Sequence, residues 1–120
     1  AKVSIPLYKD MRYNATSGLQ IQNVGTAAAT NVVATFYCKG AATFTAVSKP
    51  LTIAAGGGFL FYKPYELMSA YFATPFASTN VNCSAIVTAD QPVVAIVNES
   101  STLTPPMLDD YNYEGFNVTP

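Results

Sequence analysis

The residues that could do chemistry are few. Histidine is absent from the 120 residues. That removes the commonest general base, the Ser-His and Cys-His nucleophile arrangements and the usual transition-metal ligand. The seven acids are Asp10, Glu66, Asp90, Glu99, Asp109, Asp110 and Glu114, scattered apart from the adjacent Asp109-Asp110. A glycosidase-type carboxylate pair could assemble in space, for instance from Glu66 and Glu99, but isolated loop acids are the ordinary state of a surface. Asp109, Asp110 and Glu114 carry the oxygen chemistry for a hard cation such as calcium. Their spacing does not follow an EF-hand loop, and a solvated acidic loop is the better reading. Gly56-Gly57-Gly58 lacks the Lys-Ser/Thr of a phosphate loop and runs into Phe59, so it reads as a flexible turn. No enzymatic activity, no catalytic residue, no metal and no cofactor is expected.

Two further sets of residues point to covalent chemistry of another kind. Cys38 and Cys83 are the only cysteines, and neither lies in a CxxC arrangement. An even pair in a small β-rich chain favours a disulfide, two buried free thiols being the alternative. Closing a loop of about 45 residues would stabilise the fold by roughly 4 kcal/mol on the chain-entropy account. Four Asn-x-Ser/Thr sequences begin at Asn14, Asn82, Asn98 and Asn117. They are candidate N-glycosylation sites, which must be at the surface of a secreted protein. Asn14 and Asn117 lie in turn-like or terminal contexts and are the better acceptors. Asn82 adjoins Cys83, and Asn98 ends an apolar strand. The sequence begins at Ala1 without a charged-then-apolar leader, as expected of a mature form after signal-peptide removal or of a trimmed chain. A secreted, extracellular or cell-surface location follows from these features taken together.

The composition is short of charge. Six Lys+Arg and seven Asp+Glu give a net charge of −1, and charged residues make up 11% of the chain, about half the usual quarter. No basic footprint for nucleic acid exists. No apolar run approaches the ~20 residues that a membrane-spanning helix needs. At 50% hydrophobic residues, disorder is excluded as well. The length fits one domain over 1–120 with chain enough for a real core.

The elements that must position these residues are strands and turns. Val3-Ser-Ile5-Pro-Leu7 alternates, placing Val3, Ile5 and Leu7 on one face, with Pro6 marking an edge strand. Leu19-Gln-Ile21-Gln is half-buried alternation, punctuated by Asn23-Val-Gly25. Thr30 to Cys38 puts Val32, Ala34, Phe36 and Cys38 on one side. Thr43–Val47, Leu51–Ile53 and Phe59–Tyr62 follow, and a short helical turn fits only within Tyr65–Phe72. Cys83–Val87 and Val93–Val97 are the most apolar strands, and a last one is expected around Tyr113–Val118. Seven to nine short strands with turn signals at these spacings argue an all-β, antiparallel two-sheet sandwich. The cysteines would pin its strands within one sheet or between the two.

Gly18-Leu-Gln-Ile-Gln-Asn-Val-Gly25, the glycine turn before an aromatic strand, and Ser84 through Glu99 carry a resemblance. They resemble an immunoglobulin-like β-sandwich module found, often in tandem, in secreted and cell-surface proteins of prokaryotes. The resemblance covers most of the chain and implies a non-enzymatic extracellular role. Absence of Trp sets it apart from antibody domains.

Two functions follow as expectations. One is a structural, pilus-like subunit of an extracellular filament or surface array, a homopolymer of copies of itself. Val93–Val97 is apolar on both faces, and Phe59, Phe61, Tyr62, Tyr65, Tyr71, Phe72 and Phe76 crowd a short region. Both point to outer surfaces that neighbours cover. Its joining device would be residues 1–9, with Val3, Ile5 and Leu7 as a donor strand entering a neighbour's sheet head to tail. Pairing of that strand within its own chain is the alternative. The other function is a carbohydrate-binding or adhesin module using Tyr and Phe as stacking platforms.

Overall fold

Alternating apolar and polar positions make most segments of this chain stable only as strands with one face covered. The computed structural model describes residues 1–12, 15–101, 111–114 and 116–117, with residues 100, 101, 111–114 and 116–117 as backbone alone. The strands are β1 (Lys2–Asp10), β2 (Ala15–Asn23), β3 (Ala29–Gly40), β4 (Phe44–Ser48), β5 (Leu51–Ile53), β6 (Gly58–Tyr62), β7 (Phe72–Thr74), β8 (Val81–Thr88), β9 (Val93–Ser101), β10 (Tyr111–Glu114) and β11 (Phe116–Asn117). Between β6 and β7 lie one helical turn, α1 (Pro64–Leu67), and a 3-10 turn at Ser69–Tyr71, where the sequence leaves room for one.

The strands form two antiparallel sheets, and the fold is an all-β sandwich. The seven-stranded sheet runs β11-β1-β8-β3-β4-β7, with β5 also on β3; the four-stranded sheet runs β10-β9-β2-β6. The chain changes sheet repeatedly. Ala89-Asp90-Gln91-Pro92 carries it from β8 in one sheet to β9 in the other, and the last expected strand divides, β10 pairing with β9 and β11 with β1.

Buried positions follow the expected alternation in β3, where Val32, Ala34, Phe36 and Cys38 face inward; β9, apolar on both faces, turns Val93, Ala95 and Val97 inward. Phe36 is the centre of the core. Its ring lies edge-on to Tyr8 at 5.2 Å, Phe61 at 5.4 Å and Phe76 at 5.6 Å, with Phe72 at 6.0 Å. These rings span both sheets, so phenylalanines do here what a core Trp does elsewhere.

The expectation for β1 needs correction. Val3 and Ile5 are buried, but Leu7 is turned outward and Tyr8 and Asp10 take the inner face. The cause is a register shift between Ile5 and Tyr8 on β8. A bulge adds one residue, and one residue reverses every later side chain. Nor is β1 a simple edge strand: Val3 and Ser4 also pair with β11. Pro6 sits inside the bulge, where the ladder is already interrupted and its missing N–H costs nothing further.

Candidate functional site

Cys38 and Cys83 are joined by a disulfide. They are direct cross-strand partners in β3 and β8, so the bond lies within the seven-stranded sheet. On the outer side of the same strands, register fixes the neighbours. Tyr37 faces Ser84 on one side and Thr45 on the other, while Asn82 lies between Lys39 and Lys9. Leu7, turned outward by the bulge, joins them with Pro6. All of these but Lys9, together with Thr43 and Phe44, line a groove of about 820 Å³ with the disulfide in its floor. Ligand pockets run from about 300 to 1,000 Å³.

Tyr37 is 48% exposed. Ser84, Thr43 and Thr45 are exposed, and Asn82 is half-buried, its Oδ1 shielded from solvent without a hydrogen-bond partner. Among the described residues, no carboxylate lines the groove. This cluster of aromatic and polar groups comes from the consecutive strands β3 and β4 and from β8, which is distant in sequence. Only the strand register brings them together, and no loop motif marks it.

The outer face of the four-stranded sheet is different. Leu60 and Tyr62 of β6 and Val94 and Ile96 of β9 point outward at 40–47% exposure. Gln20 of β2 separates Leu60 from Ile96, and Gly18 separates Tyr62 from Asn98. Among the described residues, no further strand lies beyond β6 in that sheet. The Tyr62 N–H on that edge meets Met68 Sδ at 3.3 Å.

The remaining candidate residues are dispersed. Asn98 is exposed on β9, whereas the Asn117 backbone pairs with Val3 and Asn14 lies outside the described residues. Asp109 and Asp110 also lie outside them, and the Glu114 side chain is not described. The two acids of the glycosidase-type pair differ in their surroundings. Glu66 is exposed on α1, while Glu99 is buried and ion-paired with Lys9 at 3.1 Å. Among the described residues, no group of three or more His, Cys, Asp or Glu could hold a metal ion, and no helix is long and apolar enough to cross a membrane. The three glycines form the expected turn. Gly56 adopts φ +75°, which favours glycine, and the Gly57 N–H donates to Ala54 O.

Titration is perturbed at three groups. Burial pushes the Asp10 carboxyl up. The Thr79 hydroxyl and the Tyr65 N–H pull it down, Glu66 raises it, and Lys63 lowers it. Burial likewise holds the Tyr8 phenol well above its ordinary value, with smaller contributions from the Asp10 charge and from Tyr62, and its hydroxyl donates to Phe61 O at 3.1 Å. Asp90 moves the other way. Its hydrogen bond with the Thr30 hydroxyl lowers it first, and the backbone N–H groups of Thr30 and Asn31 add to this. Asp10 holds Thr79 in place, and Asp90 holds the start of β3.

No known family matches the chain, and no curated protein does either. Among solved structures, the crystal structure of Thermotoga maritima 1070 is similar at a TM-score of 0.68 and 13% identity, over 96% of this chain and 91% of that one. The likeness is one of fold.

Proposed function

We propose that this domain is a structural subunit of an extracellular filament or surface array, built by head-to-tail addition of copies of itself. The carrying observation is the outward apolar set Leu60, Tyr62, Val94 and Ile96 on the four-stranded sheet, beside the open edge of β6. A strand apolar on both sides, in a chain with half the usual charge, is suited to burial on both sides. The disulfide favours an oxidising compartment outside the cell, and the resemblance of the sequence to immunoglobulin-like surface modules supports the same setting. The joining device is β1. Within one chain it fills the slot beside β8 with Val3 and Ile5 in the core. A neighbour's β1 in the same slot would make the same contacts, bulge and Pro6 included, which is the condition for strand exchange.

Negative-stain microscopy and sedimentation of the wild type and of Leu60→Lys/Ile96→Lys test the assembly. Both positions are exposed, so the variant should melt within a few degrees of the wild type and stay dispersed where the wild type forms regular fibres. A wild type that remains monomeric at high concentration, or fibres unaffected by the two lysines, overturns the proposal. Ser4→Cys with Ile86→Cys, direct partners across β1 and β8, tests the exchange: oxidised as a monomer, it should no longer polymerise if β1 is the joining strand.

A second reading, a carbohydrate-binding or adhesive module, is favoured by one observation, the groove around Tyr37 on the opposite face.

A further inference from the structure

We infer that the groove on the seven-stranded sheet binds an acidic carbohydrate, a pyranose chain carrying carboxylates, with one sugar ring stacked on Tyr37. The inference rests on the second reading above and gives it a ligand class. Three features of the groove select a sugar over other small molecules. The Tyr37 ring is half-exposed between strands, a flat apolar surface that suits the C–H face of a pyranose. Around it stand short, uncharged hydrogen-bonding groups: the hydroxyls of Ser84, Thr43 and Thr45 and the Asn82 amide. These three hydroxyls make no hydrogen bond to any described residue. Such a set can both donate to and accept from sugar hydroxyls.

Charge selects the acid. The chain as a whole is slightly acidic, yet among the described residues the groove is lined by one cation, Lys39, and no carboxylate. Lys39 pairs with no carboxylate among the described residues, whereas Lys9, across Asn82, is already paired with Glu99. A carboxylate on a ring bound at Tyr37 would find Lys39 two residues along the same outer face of β3. The Cys38–Cys83 bond lies beneath, fixing the register that sets Tyr37 against Ser84 and Lys39 against Asn82. The site is therefore organised before any ligand arrives.

Calorimetric titration of the full chain with tetrasaccharides of galacturonic, glucuronic and mannuronic acid, and with their neutral methyl esters, tests this. At least one free acid should bind, more tightly than its ester and less tightly as salt rises. Tyr37→Ala should weaken that binding about tenfold. Lys39→Gln should weaken the free acid about fivefold and leave the ester unchanged. Ser84→Leu, an exposed position that fills the groove without touching the core, should abolish both. Melting curves and the thiol count verify that the variants are folded with the disulfide formed. No heat of binding from any acid or ester overturns both this inference and the carbohydrate reading. Equal binding of acid and ester with the same response to Lys39→Gln overturns the acidic assignment alone. Binding that survives both Tyr37→Ala and Ser84→Leu overturns the groove.

Discussion

The two ends of the sandwich are held by opposite kinds of polar chemistry. At one end Asn23, fully buried where β2 stops, is a neutral hub with its side-chain groups occupied. Its Nδ2 donates to Ala27 O at 2.8 Å and Ile53 O at 3.0 Å, and its Oδ1 accepts from the Gly25 N–H at 2.9 Å. Its backbone adds bonds to Gly56 and Gly57. At the other end, where β1 stops and β2 begins, the buried groups are charged. Asp10 is held by Thr79 at 2.8 Å, with Oδ2 lacking a partner, and Lys9 and Glu99 form a shielded ion pair. A satisfied amide in a dry site stabilises, whereas a carboxylate there carries a desolvation cost that its contacts only partly offset. Equal burial therefore does not mean equal contribution.

The largest effect should come from emptying the neutral end. Asn23→Ala removes three side-chain hydrogen bonds and strands the buried Ile53 carbonyl, for an expected loss of about 3 kcal/mol. In a domain of this size that is a fall in melting temperature on the order of 10 °C. Asn23→Asp keeps the acceptor for Gly25 but loses both donors, so it should fall comparably. A change within the half-kilocalorie typical of surface substitutions would break the comparison, because the hub would then contribute no more than an exposed residue.

How much of this could be read in advance differs between the ends. Asn23-Val-Gly25 is visible in sequence as a break between strands, because Asn and Gly carry local backbone preferences. That the same Asn reaches Ile53, thirty residues on, is a consequence of the sandwich closing and has no local signal. The alternation in β3 placed Phe36 inside correctly, because a strand's side chains alternate whatever its neighbours do. In β1 it misplaced Leu7, because the bulge beside Pro6 depends on pairing with β8. The groove escaped for the same reason: Tyr37, Thr45 and Ser84 are neighbours only across strands. Cys38 and Cys83 announced a bond by number and context, but not that it would lie within one sheet.

A smaller effect, of opposite sign, is expected at the charged end. The Asp10 carboxyl is raised in the folded protein, so the folded state holds its proton more tightly than the unfolded chain, whose aspartates titrate near 4. Its contribution is full below that value and is lost as pH rises through the folded one. Asp10→Asn keeps an oxygen for the Thr79 hydroxyl and carries no charge. It should raise stability at pH 7 by about 1 kcal/mol and flatten the pH dependence in denaturant melts. Destabilisation at neutral pH would mean that the charge itself holds this end together, and the contrast with Asn23 would fail.

The smallest effect lies on the exposed rim of the neutral end and should titrate in the reverse direction. Asp90 caps the start of β3 through the Thr30 hydroxyl and the N–H groups of Thr30 and Asn31, and its carboxyl is lowered. A lowered acid contributes above the unfolded value near 4 and loses that contribution as pH falls through its folded one. Acidification should therefore loosen Thr30 and Asn31 while the surroundings of Asp10 tighten. Carboxyl and amide chemical shifts followed from pH 7 to pH 2 would show it: the Thr30 amide should move with a midpoint below 4, and the Thr79 neighbourhood with a midpoint above it. Asp90→Asn should erase the first transition and leave the second untouched, since the two groups sit at opposite ends of the same strands and share no partner. A single common midpoint would mean that the two ends open together, and that the sandwich responds to acid as one unit despite being fastened in two ways.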